Sequence, residues 1–157
     1  MKTLITPAQV VALAFADGEF ITEQSITQAD IVAAEERYIV PVVGRKLYVQ
    51  LLAGSRAEFV TDYLAAAVAL FTRASLQPML DIRTGQCGTV APRSANYQPA
   101  SDAALCRMQK ALRTKARTLL HRASNYLSEN RSSFSEYNDS QNILKKCIIN
   151  GDLIQVR

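Results

Sequence analysis

Apolar residues recur along this chain at spacings of three and four, the period of amphipathic helices, with turn residues between the runs. Thr6-Pro7 predicts a first helix: a hydroxyl at the cap, then proline in the first turn, where its missing N–H costs nothing. Val10, Val11, Ala14 and Phe15 then share one side, and Asp17-Gly18 ends the element. Thr27 predicts the cap of a second helix, with Asp30 reaching back as in a capping box. Its stripe is Ile31, Ala34, Glu35, Tyr38 and Val42. Pro41 cannot continue the hydrogen-bond ladder, so a break or kink is expected just before it. The same proline opens a further helix that carries Val42, Val43, Leu47, Leu51 and Leu52 and ends at Gly54.

Ser55 then predicts the cap of a long helix over about 56–80. Phe59, Val60, Tyr63, Leu64, Ala67, Val68, Leu70, Phe71 and Ala74 cover most of its circumference, leaving a narrow strip of Glu58, Asp62 and Arg73. So wide an apolar arc places a helix at the centre, buried by its own chain or by a neighbour. Residues 81–101 change character, and Ile82-Arg83 is expected to pair with Thr89-Val90 as a small hairpin. A connection this long between two helices suggests a task of its own. A last long helix follows from Asp102 to about Asn130, with a stripe of Leu105, Met108, Leu112, Ala116, Leu119, Ala123 and Leu127. Beyond a polar, turn-rich stretch, residues 143–157 carry apolar positions around Asn150-Gly151, a hairpin signal. The fold expected is all-α: a bundle of four to five helices as one domain over 1–142, with the long loop before the last helix and a docking tail or arm over 143–157.

Composition adds few exclusions and one asymmetry. At 157 residues, 48% apolar and 20% charged, the chain has the make-up of one ordinary globular domain. Its net charge of +4 is unevenly placed. Met1 to Asp62 holds five Lys/Arg against eight Asp/Glu, and Ala103 to Arg157 holds ten against four. Such a division suits head-to-tail contact between copies, or a basic face towards nucleic acid. No run approaches about 20 apolar residues, so no membrane span is expected, and the N-terminus lacks the apolar core of a signal peptide.

The chemistry on offer is sparse. Three widely spaced cysteines and one histidine, His121, do not make a zinc site or a disulfide framework. Glu35-Glu36 is the one adjacent acidic pair, but neighbouring helical positions point about 100° apart, which favours a solvated or intersubunit ion-pair role over general acid/base work. Cys106 flanks a core stripe and is expected to be a small buried hydrophobe, and His121 a surface or rim residue. Gly85-Gln86-Cys87-Gly88 lacks the Gly-Lys-Ser/Thr ending of a phosphate loop. Arg107, Lys110, Arg113 and Arg117 form a basic ridge that could touch phosphates or remain a solvated back face. No catalytic set, cofactor, metal or small-molecule substrate is expected.

One stretch of residues resembles a family. Ala29-Asp30-Ile31, Ala33-Ala34-Glu35, Tyr38-Ile39, Pro41, Gly44, Leu47-Tyr48 and Leu51 resemble the opening of the small helical head–tail connector (adaptor) proteins of tailed bacteriophages, in versions from phages and prophages of Bacteroides-type bacteria. Pro99-Ala100-Ser101 and Tyr126-Leu127-Ser128-Glu129-Asn130 with Phe134-Ser135-Glu136-Tyr137 are further similar parts. The resemblance implies a virion structural protein, assembled in the bacterial cytoplasm, that forms a homo-oligomeric ring, commonly of twelve copies. Its implied partners are itself, the portal and tail proteins, and the genome DNA passing through the ring, with no membrane. Arg107, Lys110, Arg113 and Arg117 would then be candidates to face DNA or the channel. Gly85, Gln86, Cys87, Gly88 and Val90 would form a candidate subunit-interface loop, and Ile148, Ile149, Leu153, Ile154 and Val156 a candidate docking tail.

Overall fold

A computed structural model of the chain describes residues 1–16, 19, 21–85, 88–90, 99–150 and 153–156. The fold is all-α. Helix α1 spans Pro7–Ala14, and Thr6 and Gln9 cap it reciprocally: the Thr6 hydroxyl accepts from the Gln9 N–H, and the Gln9 side chain accepts from the Thr6 N–H. The expected stop at Asp17-Gly18 lies outside the described residues.

The second helix, α2, runs without interruption over 28–43. It starts on Thr27, whose capping box with Asp30 is fully formed. The break expected before Pro41 is absent. In its place the helix widens to a π-turn over Glu35–Ile39, where the Val40 N–H reaches back to the Glu35 carbonyl, and then resumes over Val40–Val43. Inserting one residue into the ladder moves carbonyls away from the proline ring, which removes the clash that would otherwise kink the helix. The true boundary is Gly44, at φ +83° and ψ 148°, a conformation that a side chain strongly disfavours. Helix α3, Arg45–Leu52, begins directly after it.

The expected cap at Ser55 is also absent. The Ser55 N–H bonds to the Gln50 carbonyl in the turn that closes α3, and Arg56 rather than Ser55 takes the capping position of the next helix, with no side-chain cap bond. Helix α4, Ala57–Leu80, instead follows Arg56, which adopts the left-handed conformation at φ 59°. That conformation is uncommon for a residue with a side chain. Here the Arg56 guanidinium lies over the Phe134 ring, 4.2 Å from its centroid.

Helix α4 contains a second π-turn, Val60–Leu64, and is the centre of the molecule. It packs against α1, α2 and the final long helix, α5, Asp102–Glu129. Ala67, Val68 and Ala69 are fully buried there, and small residues at these positions let the helices approach closely. Helix α4 is long and apolar enough to cross a membrane by length and composition alone, and 72% of its most apolar window is buried inside the fold. Its apolar surface is used within this one chain.

Among the described residues there are also four short strands. Strands β1, Arg83–Gly85, and β2, Gly88–Val90, pair antiparallel with Thr84 opposite Thr89. Strands β3, Cys147–Asn150, and β4, Leu153–Val156, pair with Ile149 opposite Ile154.

Residues 130–145 fold back on α4 and α5 as a series of turns. Phe134 packs edge-on to Phe59, with centroids 5.1 Å apart, and Tyr126 stacks on Tyr63 at 4.2 Å. The buried Asn142 donates to Ser124 and to the Tyr137 hydroxyl, both at 2.7 Å, and accepts from the Leu144 N–H. The Tyr126 to Tyr137 stretch is therefore a clasp, and its aromatic residues serve packing.

Candidate functional site

Two arrangements stand out from the core: a buried carboxylate on α2, and the exposed face of α5 with the cleft beside it.

Glu35 lies on the apolar stripe of α2 at the start of the π-turn, and it is completely buried. The expectation of a solvated or intersubunit ion-pair role is therefore wrong for Glu35. Its carboxylate accepts from the Leu4 N–H at 2.8 Å and from the Tyr48 hydroxyl at 2.7 Å. Burial raises its pKa, and these two hydrogen bonds only partly oppose the rise. Burial and the adjacent Glu35 likewise push the Tyr48 phenol up. The arrangement ties the N-terminal segment, α2 and α3 together, and it offers no surface to a substrate. Sequence position could have signalled this, because a glutamate on an apolar stripe must be buried with partners or displace its helix.

Glu36 turns outward instead. Both its oxygens take hydrogen bonds from Arg45, each at 2.6 Å, which hold its carboxyl below the usual range. The pair is exposed at 41% and 60%, so it adds little to stability. Arg73 does more for the fold. From a largely buried position on α4 it bonds to the Ala14 carbonyl and to Glu19, with its guanidinium over the Phe15 ring.

Arg107, Lys110, Arg113 and Arg117 are all exposed on α5. Over ten residues they extend about 15 Å along the helix. Residues 103–128 hold six Lys/Arg and no Asp or Glu. Among the described residues, no carboxylate lies within ion-pair distance of these four. The helix is also unevenly seated. Ala116, Leu120, Ala123, Ser124 and Leu127 are buried, while Leu105, Met108 and Leu112 in its first half are only half-covered.

Cys106 is exposed in this same half, which corrects the expectation that it is buried. It borders a shallow groove with Pro78, Ile82 and Leu105. In the expected interface loop, Gly85, Gly88 and Val90 belong to the paired strands, and Gln86 and Cys87 lie outside the described residues. Ile148, Ile149, Leu153, Ile154 and Val156 lie in the C-terminal pair, and where their side chains go is outside what the structure describes. Among the described residues, no three His, Cys, Asp or Glu side chains converge to hold a metal.

Arg117 joins the ridge to a cleft of about 450 Å³, which the sequence did not reveal. Arg37, Arg117 and His121 line it together with the apolar side chains of Pro41, Val42, Leu120, Ile143 and Leu144. These residues come from three separated parts of the chain, so no local pattern marks them. His121 is exposed, as expected of a rim residue.

No curated protein and no solved structure matches the chain. Residues 23–146 match one family model, and the chain belongs to that family, a family of unknown function (DUF6712).

Proposed function

We propose that this chain is the subunit of a structural ring, a head–tail connector of a tailed bacteriophage or prophage, which makes and breaks no covalent bond. The run from Ala29 to Leu51 carries the reading, because it resembles the opening of connector proteins in residue type and order. In this chain the run forms a capped helix, a π-turn, a glycine boundary and a second helix. These features bring no reactive group to the surface, which suits assembly better than catalysis.

Charge supports the same reading. The acidic first part and the basic α5 suit a heterologous interface, in which unlike surfaces of successive copies meet and close a ring. In that assembly the helices form a bundle of four to five members. The segment around Gly85 to Val90 and the tail from Ile148 to Val156 reach a neighbouring subunit or the portal. The partners are further copies of the chain, portal and tail proteins, and the genome DNA passing through. The site of action is the virion, assembled in the host cytoplasm.

Electron microscopy of the purified chain mixed with the portal from its own genome tests the proposal. Annular particles carrying both proteins are expected, and their absence overturns it. The acid-free face of α5 favours a second reading, a DNA-binding protein of a packaging or regulatory machine. Duplex binding that weakens steeply with salt, and is lost when Arg107, Lys110, Arg113 and Arg117 are replaced by Gln, would favour that reading over the ring.

A further inference from the structure

The cleft beside Arg117 lies between the π-turn of α2, the middle of α4 and α5, and the turn at Ile143–Lys145. Pro41, Leu120 and Leu144 give it an aliphatic wall, and Ile143 at its edge is 43% exposed. Among the described residues its basic groups are Arg37, Arg117 and His121, Tyr38 is its other titratable side chain, and no Asp or Glu lines it. The acid nearest in sequence, Glu36, is already held by Arg45 through both oxygens. An occupant must therefore offer an apolar body and negative charge.

Two occupants fit poorly. A nucleobase needs an open aromatic face, but Tyr38 is stacked on Phe71 at 4.1 Å and has the Arg37 guanidinium 5.4 Å from its ring centroid. The chain's own tail has the wrong sign, since residues 145–157 hold three Lys/Arg against one Asp. We infer that this cleft docks an acidic segment of a partner protein, which lays one aliphatic or aromatic side chain against Pro41, Leu120 and Leu144 and sets its carboxylates opposite Arg37 and Arg117. The apolar anchor supplies affinity, and the two guanidinium groups select the charge around it. Docking of this kind needs no ring, so a subunit that never forms an annulus still binds.

Nuclear magnetic resonance on the isotopically labelled full-length chain tests this. The probe is a short capped peptide with a Leu-Phe centre flanked on both sides by Asp and Glu. Saturable shifts are expected at the amides of Arg37, Tyr38, Leu120 and Leu144. Arg37→Gln with Arg117→Gln should weaken binding roughly fivefold, the size of two partly screened ion pairs. Ile143→Asp should weaken it by a similar factor or more. All three positions are at the surface or the cleft edge, and the unfolding midpoint checks that each variant folds. On the unaltered chain, the same peptide with Lys for every acid should not bind, a comparison that requires no variant to fold. No saturable shift at millimolar peptide, or equal binding of the Lys peptide, overturns the inference. Tighter occupation of the same residues by a short oligothymidylate would make the occupant nucleic acid and also overturn it. Concentration-dependent shifts at those residues without peptide would make the occupant a second copy of the chain, again against the inference.

Discussion

One buried carboxylate is held by Tyr48 and Leu4, which lie 44 residues apart in the chain. Replacing Tyr48 by Phe removes one donor and leaves a buried oxygen without a partner, so it should cost about 1–3 kcal/mol in urea unfolding. Glu35 also makes stability depend on pH with a definite sign. Burial raises its native pKa above the ordinary 4.5, so the folded chain holds that proton more tightly than the unfolded chain. The resulting stabilisation is complete below the ordinary value and is lost as pH rises through the raised native value. Glu35→Gln carries a neutral side chain at every pH. The stability of the parent chain relative to this variant should therefore fall from about pH 4.5 upward, and parallel curves for the two proteins would refute the assignment. Gly44 fixes a different kind of constraint. A Cβ there would meet only the Gln141 Oε1 at 3.8 Å, so space is not the obstacle. Its φ of +83° is, and Gly44→Ala should destabilise the fold by about 1–3 kcal/mol on conformational grounds alone.

At the scale of elements, α5 has two unequal halves. Every buried residue of the helix lies between Ala116 and Leu127, and the preceding turns rest on half-covered side chains. Opening free energy follows local burial, so amides of 103–114 should exchange with solvent well before those of 116–127. Hydrogen exchange resolved by residue checks this, and uniform protection along α5 would contradict it. The same helix explains much of what was legible in the sequence. Its stripe at spacings of three and four holds from Leu112 to Leu127, because the 3.6-residue period depends on no distant partner, while Leu105 and Met108 stay outside the core and Leu120 is buried more deeply than Leu119. Thr6 and Thr27 were legible as caps for the same reason, since each bonds within three residues. Ser55 was not, because the turn that closes α3 places Arg56, not Ser55, directly before the next helix. Pro41 misled because a π-turn upstream accommodates the ring, and composition carries no sign of such a turn. The cleft was illegible for a further reason: Arg37, Arg117 and Ile143 converge only through the packing of α2, α5 and the turn at Ile143–Lys145.

The whole molecule closes one core from a single chain. Among the described residues the large exposed apolar ones, Met1, Leu13, Val49, Met79, Ile82 and Ile143, are dispersed in sequence over several elements. Helix α4, whose wide apolar arc left open burial by a neighbour, is covered by α1, α2 and α5 of its own chain. The chain is therefore expected to fold on its own, and the unfolding midpoint should not change with protein concentration from about 1 µM to about 100 µM. An obligate oligomer behaves differently, because dilution favours its dissociated and unfolded chains. If the midpoint rises steeply with concentration, the subunit depends on its neighbours for its core, and the burial seen in α4 is incomplete. If it is flat, any ring is assembled from subunits already folded, and contact between the acidic first part and the basic α5 is one of its interfaces. Its stability would then fall with added salt as the acidic first part and the basic α5 are screened from each other, while the stability of each subunit changes little.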